Sequence, residues 1–355
     1  MDTSKAAQLV LDDGSVFPGI SFGADKSVSG EVVFNTGMTG YPESFTDPSY
    51  RGQILVLTYP LIGNYGVPGI DKEHNLLKFF ESDKVHIRAL IISDYSNNHN
   101  HWNSRKSLAA WLQEHNIPAL HGIDTRSLTQ KLREKGVMLG KLVNGTDVRL
   151  EDPNKRNLVD EVSIERKQIY EAGKKRVLLI DCGVKYSIIR NLLARNVTVI
   201  RVPWDYDYSR ERYDGIVISN GPGDPKMCKA TIENVRQSIK EKIPILGICL
   251  GNQILALAAG ANTYKLKYGH RSQNQPCIDL ETGRCYITSQ NHGYAVDTKS
   301  LGKDWKPWFV NANDNTNEGM RHKRLPFMSC QFHPEAYPGP VDTNFIFDRF
   351  LRMVK

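Results

Sequence analysis

Residues 243–259 constrain this chain more tightly than any other stretch. Ile243, Ile245, Leu246 and Ile248 form an apolar run of strand length that leads into Gly247-Ile248-Cys249-Leu250-Gly251. Ile254, Leu255, Leu257 and Ala258 then recur at helical spacing. The pattern predicts a strand, a sharp turn and a helix, with Cys249 at the apex. Glycines on both sides of the cysteine tolerate a strained turn and let neighbouring backbone pack close beneath it, as in a nucleophile elbow. That geometry pushes the sulfur out of the fold and sets it at the positive end of a helix, where a thiolate is favoured. A buried structural cysteine is the plainer alternative, but packing alone does not explain the paired glycines.

The surrounding sequence has an α/β rhythm. Residues 176–182 (RVLLIDC), 197–202 and 213–219 (YDGIVIS) read as strands, and 187–195 and 231–242 as helices. Strands alternating with helices predict a mostly parallel sheet flanked by helices, with sites at the carboxyl ends of the strands. Cys249 and the loop Asn220-Gly221-Pro222-Gly223-Asp224-Pro225 both fall at such ends, so they should meet in space.

Earlier in the chain the character changes. LVL-DDG-SVF over 9–17 reads as a hairpin, and 31–34, 54–59 and 89–92 as strands separated by Gly- and Pro-rich loops. Helices are expected over 104–115 and 127–135. Charge rises and apolar periodicity fades from 146 to 175, so the expected organisation is a strand-rich α/β domain over 1–145, a linker over 146–175 and the second domain over 176–355. With 355 residues, two cores are affordable.

Composition narrows the function classes. No apolar run is long enough for a membrane helix, and the start MDTSKAAQLV resembles neither a signal nor a transit peptide, so a cytoplasmic address is expected and a membrane partner is not. Six cysteines without a C-x-x-C pair suggest reduced thiols rather than a zinc ribbon or disulfide framework. His99, His101, His115 and His121 lack acidic or cysteine partners at ligand spacing, so no metal is expected there. The formal charge of +7 is spread without a basic block interleaved with aromatics, which argues against nucleic acid and fits an acidic protein surface better.

A cysteine nucleophile needs a base, and Cys330-Gln331-Phe332-His333-Pro334-Glu335 supplies the best candidate. In an extended segment Glu335 would point to the same side as His333 and orient it, completing a Cys249-His333-Glu335 triad by role. Acyl transfer also needs backbone donors for the developing oxyanion; the amide of Leu250 and one from the Gly221–Gly223 loop are the candidates. That loop lacks the G-K-[ST] ending of a phosphate loop.

GICLGNQ, SNGPGDP, SQNHGYAVD and QFHPE, in this order, make the C-terminal part resemble a class I (triad) glutamine amidotransferase. GEVVFNTGMTGYPESFTDPSYRGQILVLTYPLIGNYG, GIDTRSLTQKLREKG, NQPC and NDNTNEG make nearly the whole chain similar to the glutaminase small subunit, or fused glutaminase domain, of carbamoyl-phosphate synthetase. The resemblance implies that Cys249, His333 and Glu335 hydrolyse L-glutamine through a glutamyl thioester. It implies glutamine contacts from Ser49, Gly221, Gly223, Leu250, Gln253, Asn291, Gly293 and Tyr294, with Ser49 placing the substrate at the domain interface. Ammonia would pass to a synthetase large subunit or domain, which alone would use ATP and Mg, leaving this chain without a cofactor. One departure stands out: Asn252 occupies a position where the family usually has His. A glutaminase-silent regulatory subunit of an ammonia-using synthetase is therefore the alternative, and an amidotransferase for another product a more distant one.

Overall fold

The computed structural model describes residues 5–355. The chain divides into two compact units, Met1–Lys155 and Arg156–Lys355.

The described part of the first unit is built on a closed seven-stranded barrel. Its strands are β1 (Lys5–Leu11), β2 (Val16–Ser21), β3 (Val28–Asn35), β4 (Gln53–Leu57), β5 (Ala89–Ile91), β6 (Ala119–His121) and β7 (Met138–Val143), in the order β1-β7-β3-β4-β5-β6-β2. The expected hairpin is the β1-β2 pair, closing with Val10 opposite Val16. Three helices accompany the barrel: α1 (Tyr41–Thr46), α2 (Leu108–Glu114) and α3 (Thr125–Lys135). Ser107 and Asp124 cap α2 and α3 by accepting from Ala110 and Ser127 amides. The sequence pattern hides α1 inside a Gly/Pro-rich loop, yet Pro42 sits in its first turn, where a missing N–H costs nothing. Leu55, Leu90, Phe45, Trp111 and Leu112 share one buried cluster.

The second unit is organised on a ten-stranded mixed sheet. Its elements are β8 (Gln168–Tyr170), β9 (Lys175–Asp181), α4 (Tyr186–Leu193), β10 (Val197–Pro203), β11 (Gly215–Ile218), α5 (Lys229–Glu241), β12 (Ile245–Ile248), α6 (Leu250–Ala258), β13 (Thr263–Asp279), β14 (Cys285–Val296), β15 (Trp305–Asn311), β16 (Asn317–His322), β17 (Phe327–Cys330) and α7 (Phe345–Met353). The spatial order is β8-β10-β9-β11-β12-β17-β16-β15-β13-β14. Strands β10, β9, β11, β12 and β17 run parallel, as the α/β rhythm predicts, and are buried along most of their length. Beyond β17 the sheet continues antiparallel through β16, β15, β13 and β14, a region where the sequence alternates too irregularly to announce its strands.

Residues 156–175 do more than link. Leu158 and Val159 are buried, Ser163 Oγ accepts from the Trp204 amide, and β8 adds an antiparallel edge to β10. Few apolar residues anchor this segment, so its charge masked its packing.

Candidate active site

Register in the parallel sheet sets up the site. Ile248 at the end of β12 lies beside Cys330 at the end of β17, and the Cys249 amide donates to the Cys330 carbonyl at 2.9 Å. The nucleophile candidate is thus one residue past its strand, and His333 three residues past the neighbouring one. The His333 amide in turn donates to the Ser289 carbonyl of β14 at 2.9 Å. Two residues along β14, the Asn291 carbonyl accepts a long hydrogen bond from Cys249 Sγ at 3.7 Å.

The turn at Cys249 has φ 54° and ψ −105°, a left-handed conformation costly for any residue with a side chain. Its neighbours explain how it persists. A Cβ on Gly247 would lie 2.4 Å from the Gly251 carbonyl oxygen, and one on Gly251 would lie 2.1 Å from that of Ile218. No other residue type fits either position without moving backbone. The cysteine caps α6, directly ahead of its first residue Leu250.

His333 and Glu335 meet without the fully extended segment the spacing suggested. The chain turns after His333, with the Ala336 amide donating to the His333 carbonyl, and His333 Nδ1 lies 2.6 Å from Glu335 Oε1. Both residues are almost wholly buried. Burial alone would lower the His333 pKa, but the Glu335 carboxylate and then the adjacent Cys249 outweigh it and hold it up at about 10. Nε2 has no hydrogen bond of normal geometry; the sulfur acts on it as a close neighbour. Burial pushes the Glu335 carboxyl upward, and His333 and Lys185 together pull it below its ordinary range.

Lys185 was not legible as a site residue. Its Nζ lies 3.2 Å from Glu335 Oε1, donates to the Ala336 carbonyl, and is buried. Only its position just after β9, at a carboxyl strand end, could have signalled it. The resulting line is Lys185, Glu335, His333, Cys249, in which the carboxylate is shared between two cations.

The remaining residues fall into place unevenly. Gly221 and Gly223 follow β11, and a Cβ on Gly221 would come within 2.8 Å of Leu250 Cδ2, so the loop does meet the elbow. Gln253 is buried and donates through Nε2 to the Tyr294 carbonyl at 2.8 Å and to Gln331 Oε1 at 3.1 Å. Asn291, Gly293 and Tyr294 lie along β14. Asn252 sits beneath the elbow, where its Nδ2 donates to Gln331 Oε1 at 3.0 Å and its Oδ1 accepts from Ser329 Oγ at 2.7 Å. Ser49 belongs to the first unit, in a buried turn whose Ser49 amide donates to Asp47 Oδ1.

Comparison with known proteins fixes the class. Residues 178–353 match the family described as glutamine amidotransferase class-I, and residues 9–142 match that of the carbamoyl-phosphate synthase small chain, CPSase domain. The carbamoyl phosphate synthase arginine-specific small chain of Saccharomyces cerevisiae is 52% identical over 97% of this chain and 87% of its own length. The multifunctional protein CAD of Squalus acanthias is 56% identical over 98% of this chain, which spans only 16% of that protein. A mitochondrial carbamoyl-phosphate synthase [ammonia] of Aquarana catesbeiana is 48% identical over 99% of this chain and 24% of its own length. The second unit is of the class I glutamine amidotransferase type. The chain as a whole belongs to the carbamoyl-phosphate synthase small-chain family.

Proposed function

We propose that this chain hydrolyses L-glutamine to glutamate and ammonia and delivers the ammonia to a carbamoyl-phosphate synthetase large subunit or domain. The observation that carries the proposal is the buried line of Cys249, His333 and Glu335 at the N-terminus of α6. An imidazolium beside Sγ is the setting in which a thiolate nucleophile forms. The thiolate adds to the side-chain amide carbon; His333 gives its proton to the departing nitrogen as the C–N bond breaks, and ammonia leaves a glutamyl thioester. Water, losing a proton to His333, then cleaves the thioester and releases glutamate.

Oxyanion donors are assigned to the Leu250 amide and the Gly221–Gly223 loop, each worth about 3 kcal/mol in the barrier. Substrate contacts are assigned to Ser49, Gly221, Gly223, Leu250, Gln253, Asn291, Gly293 and Tyr294. ATP and Mg are assigned to the synthetase partner, and the address is cytoplasmic. Ammonia must stay unprotonated to react, and an ammonium ion is costly to move through an apolar passage, which favours direct transfer to that partner.

A second reading, a glutaminase-silent regulatory unit, rests on Asn252. Against it, Asn252 spends its amide on Ser329 and Gln331 and leaves the Cys249-His333-Glu335 line complete. The test is rapid acid quenching during turnover followed by intact-mass measurement. A glutamyl adduct on the wild-type chain that is missing from Cys249→Ser supports the proposal; glutamate release without any adduct on Cys249 overturns the thioester route.

A further inference from the structure

A buried cluster behind β14 carries chemistry that the glutaminase line does not use. His270 of β13 and His292 of β14 are directly opposed cross-strand partners, with ring centroids 5.0 Å apart. Glu318 of β16 reaches the same point and is fully buried. Each imidazole is anchored on its outer side. His270 Nε2 lies 2.9 Å from Asp314 Oδ2, and His292 Nδ1 lies 2.8 Å from the Tyr294 carbonyl oxygen.

Those anchors dictate what the inner atoms offer. A carbonyl only accepts, so His292 Nδ1 carries the proton; burial holds the His292 pKa well below its ordinary range, so the ring is neutral and presents a lone pair at Nε2. Nε2 nevertheless faces Gln290 Oε1 at 3.1 Å and Glu318 Oε1 at 3.9 Å, both of which are acceptors. The Gln290 amide is not free to turn over, because its Nε2 donates to Glu318 Oε2 at 3.0 Å and to Thr288 Oγ1 at 3.1 Å. His270 Nδ1 completes the ring of atoms: it lies 3.3 Å from Glu318 Oε1 and has no hydrogen bond of normal geometry. A proton on His270 would serve Glu318 alone and would leave His292 Nε2 pointing lone pair to lone pair at Gln290. A cation serves all of them.

We propose that His270 Nδ1, His292 Nε2, Glu318 Oε1 and Gln290 Oε1 form a buried binding site for a divalent transition-metal ion of the zinc class. Two imidazoles and a carboxylate are a zinc-type donor set. The His270, His292 and Glu318 ligand atoms all lie within 4.8 Å of one another, against the roughly 3.4 Å edges of a tetrahedral site with bonds of about 2.1 Å. Asp314 and the Tyr294 carbonyl stand as outer partners that fix each imidazole's tautomer, the arrangement seen around metal-bound histidines. The ion would tie β13, β14 and β16 together behind Asn291, whose carbonyl meets the Cys249 thiol.

The test uses the untagged 355-residue chain carrying Cys249→Ser and Cys285→Ser, which removes the site thiol and the exposed thiol as competing ligands. After incubation with Zn²⁺ and exhaustive dialysis, elemental analysis should find one equivalent of zinc. Co²⁺ in its place should give visible bands of tetrahedral nitrogen and oxygen ligation without a thiolate charge-transfer band. Asp314→Asn should weaken zinc binding about 10–100-fold. His270→Gln, which keeps a donor toward Asp314, and Glu318→Gln should abolish it and the accompanying rise in thermal midpoint. No retained zinc, or zinc that survives both His270→Gln and Glu318→Gln, overturns the site.

Discussion

Two protonation sites in the Cys249-His333-Glu335 line respond to pH in opposite senses. His333 is held at about 10 against an ordinary 6.5, so its charge stabilises the fold fully below pH 6.5 and that contribution is gone once pH has risen past 10. Glu335 sits below its ordinary range, so its contribution is present at neutral pH and lost as the carboxyl protonates on acidification. Replacing Glu335→Gln removes the larger of the two influences that raise His333. The alkaline limb of kcat/KM should then move down by about 1–3 pH units, read from a pH–rate profile; an unmoved limb would mean that Glu335 does not set the imidazole's charge. Asn252 is a different kind of residue. Asn252→Ala deletes two buried hydrogen bonds, leaving Ser329 Oγ with the Met320 carbonyl and Gln331 Oε1 with Gln253 Nε2, and should cost about 1–3 kcal/mol in denaturant unfolding. Sequence reading placed the Cys249, His333 and Glu335 candidates because each carries chemistry in its own side chain at a strand end. Lys185 and the Gln331 bridge escaped it, since a strand-end position is the one cue the sequence holds for the lysine and nothing but three-dimensional proximity gives the glutamine its task.

At the scale of elements, the elbow depends on two close backbone approaches rather than on side-chain packing. Gly251→Ala drives a methyl group to 2.1 Å from the Ile218 carbonyl and must displace either β11 or α6. A loss of about 1–3 kcal/mol is expected, together with a fall in glutamine hydrolysis that exceeds what the stability loss explains. A variant with parental activity and stability would contradict the elbow geometry. Farther along the chain, Glu281 gathers Lys306, Arg321 and Arg349, joining the turn after β13 to β15, β16 and α7. Burial acts to raise its pKa, and the Lys306, Arg349 and Arg321 contacts overcome that and lower it to about 2. Its stabilisation is thus present above about pH 4.5 and lost as pH falls toward 2. Glu281→Gln should cost about 1–3 kcal/mol at pH 7, discounted for partial exposure, and the gap to the parent should close in acid. The parallel strands were legible as apolar runs with helical segments between them, whereas the antiparallel strands β13 to β16 were not. Polar residues turn inward there, Gln290 and Asn311 donating to Glu318 and Asn317 donating to Thr298, which breaks the alternation that sequence reading relies on.

On the scale of the whole molecule, the chain carries a barrel-based unit and an amidotransferase-type unit, each with its own core. No helix among the described residues is long and apolar enough to cross a membrane. The yeast arginine-specific small chain and the much longer multifunctional CAD protein both match this chain almost end to end, which is why the reading assigns ammonia production here and its consumption to a synthetase. Steady-state glutamate release from L-glutamine, by the parental chain and Cys249→Ser, with and without a carbamoyl-phosphate synthetase large subunit, tests that reading most directly. The account predicts hydrolysis by the parental chain, acceleration by the large subunit and no hydrolysis by the variant. Glutamate release that persists in Cys249→Ser, or a parental chain that stays silent even with the large subunit, would contradict it.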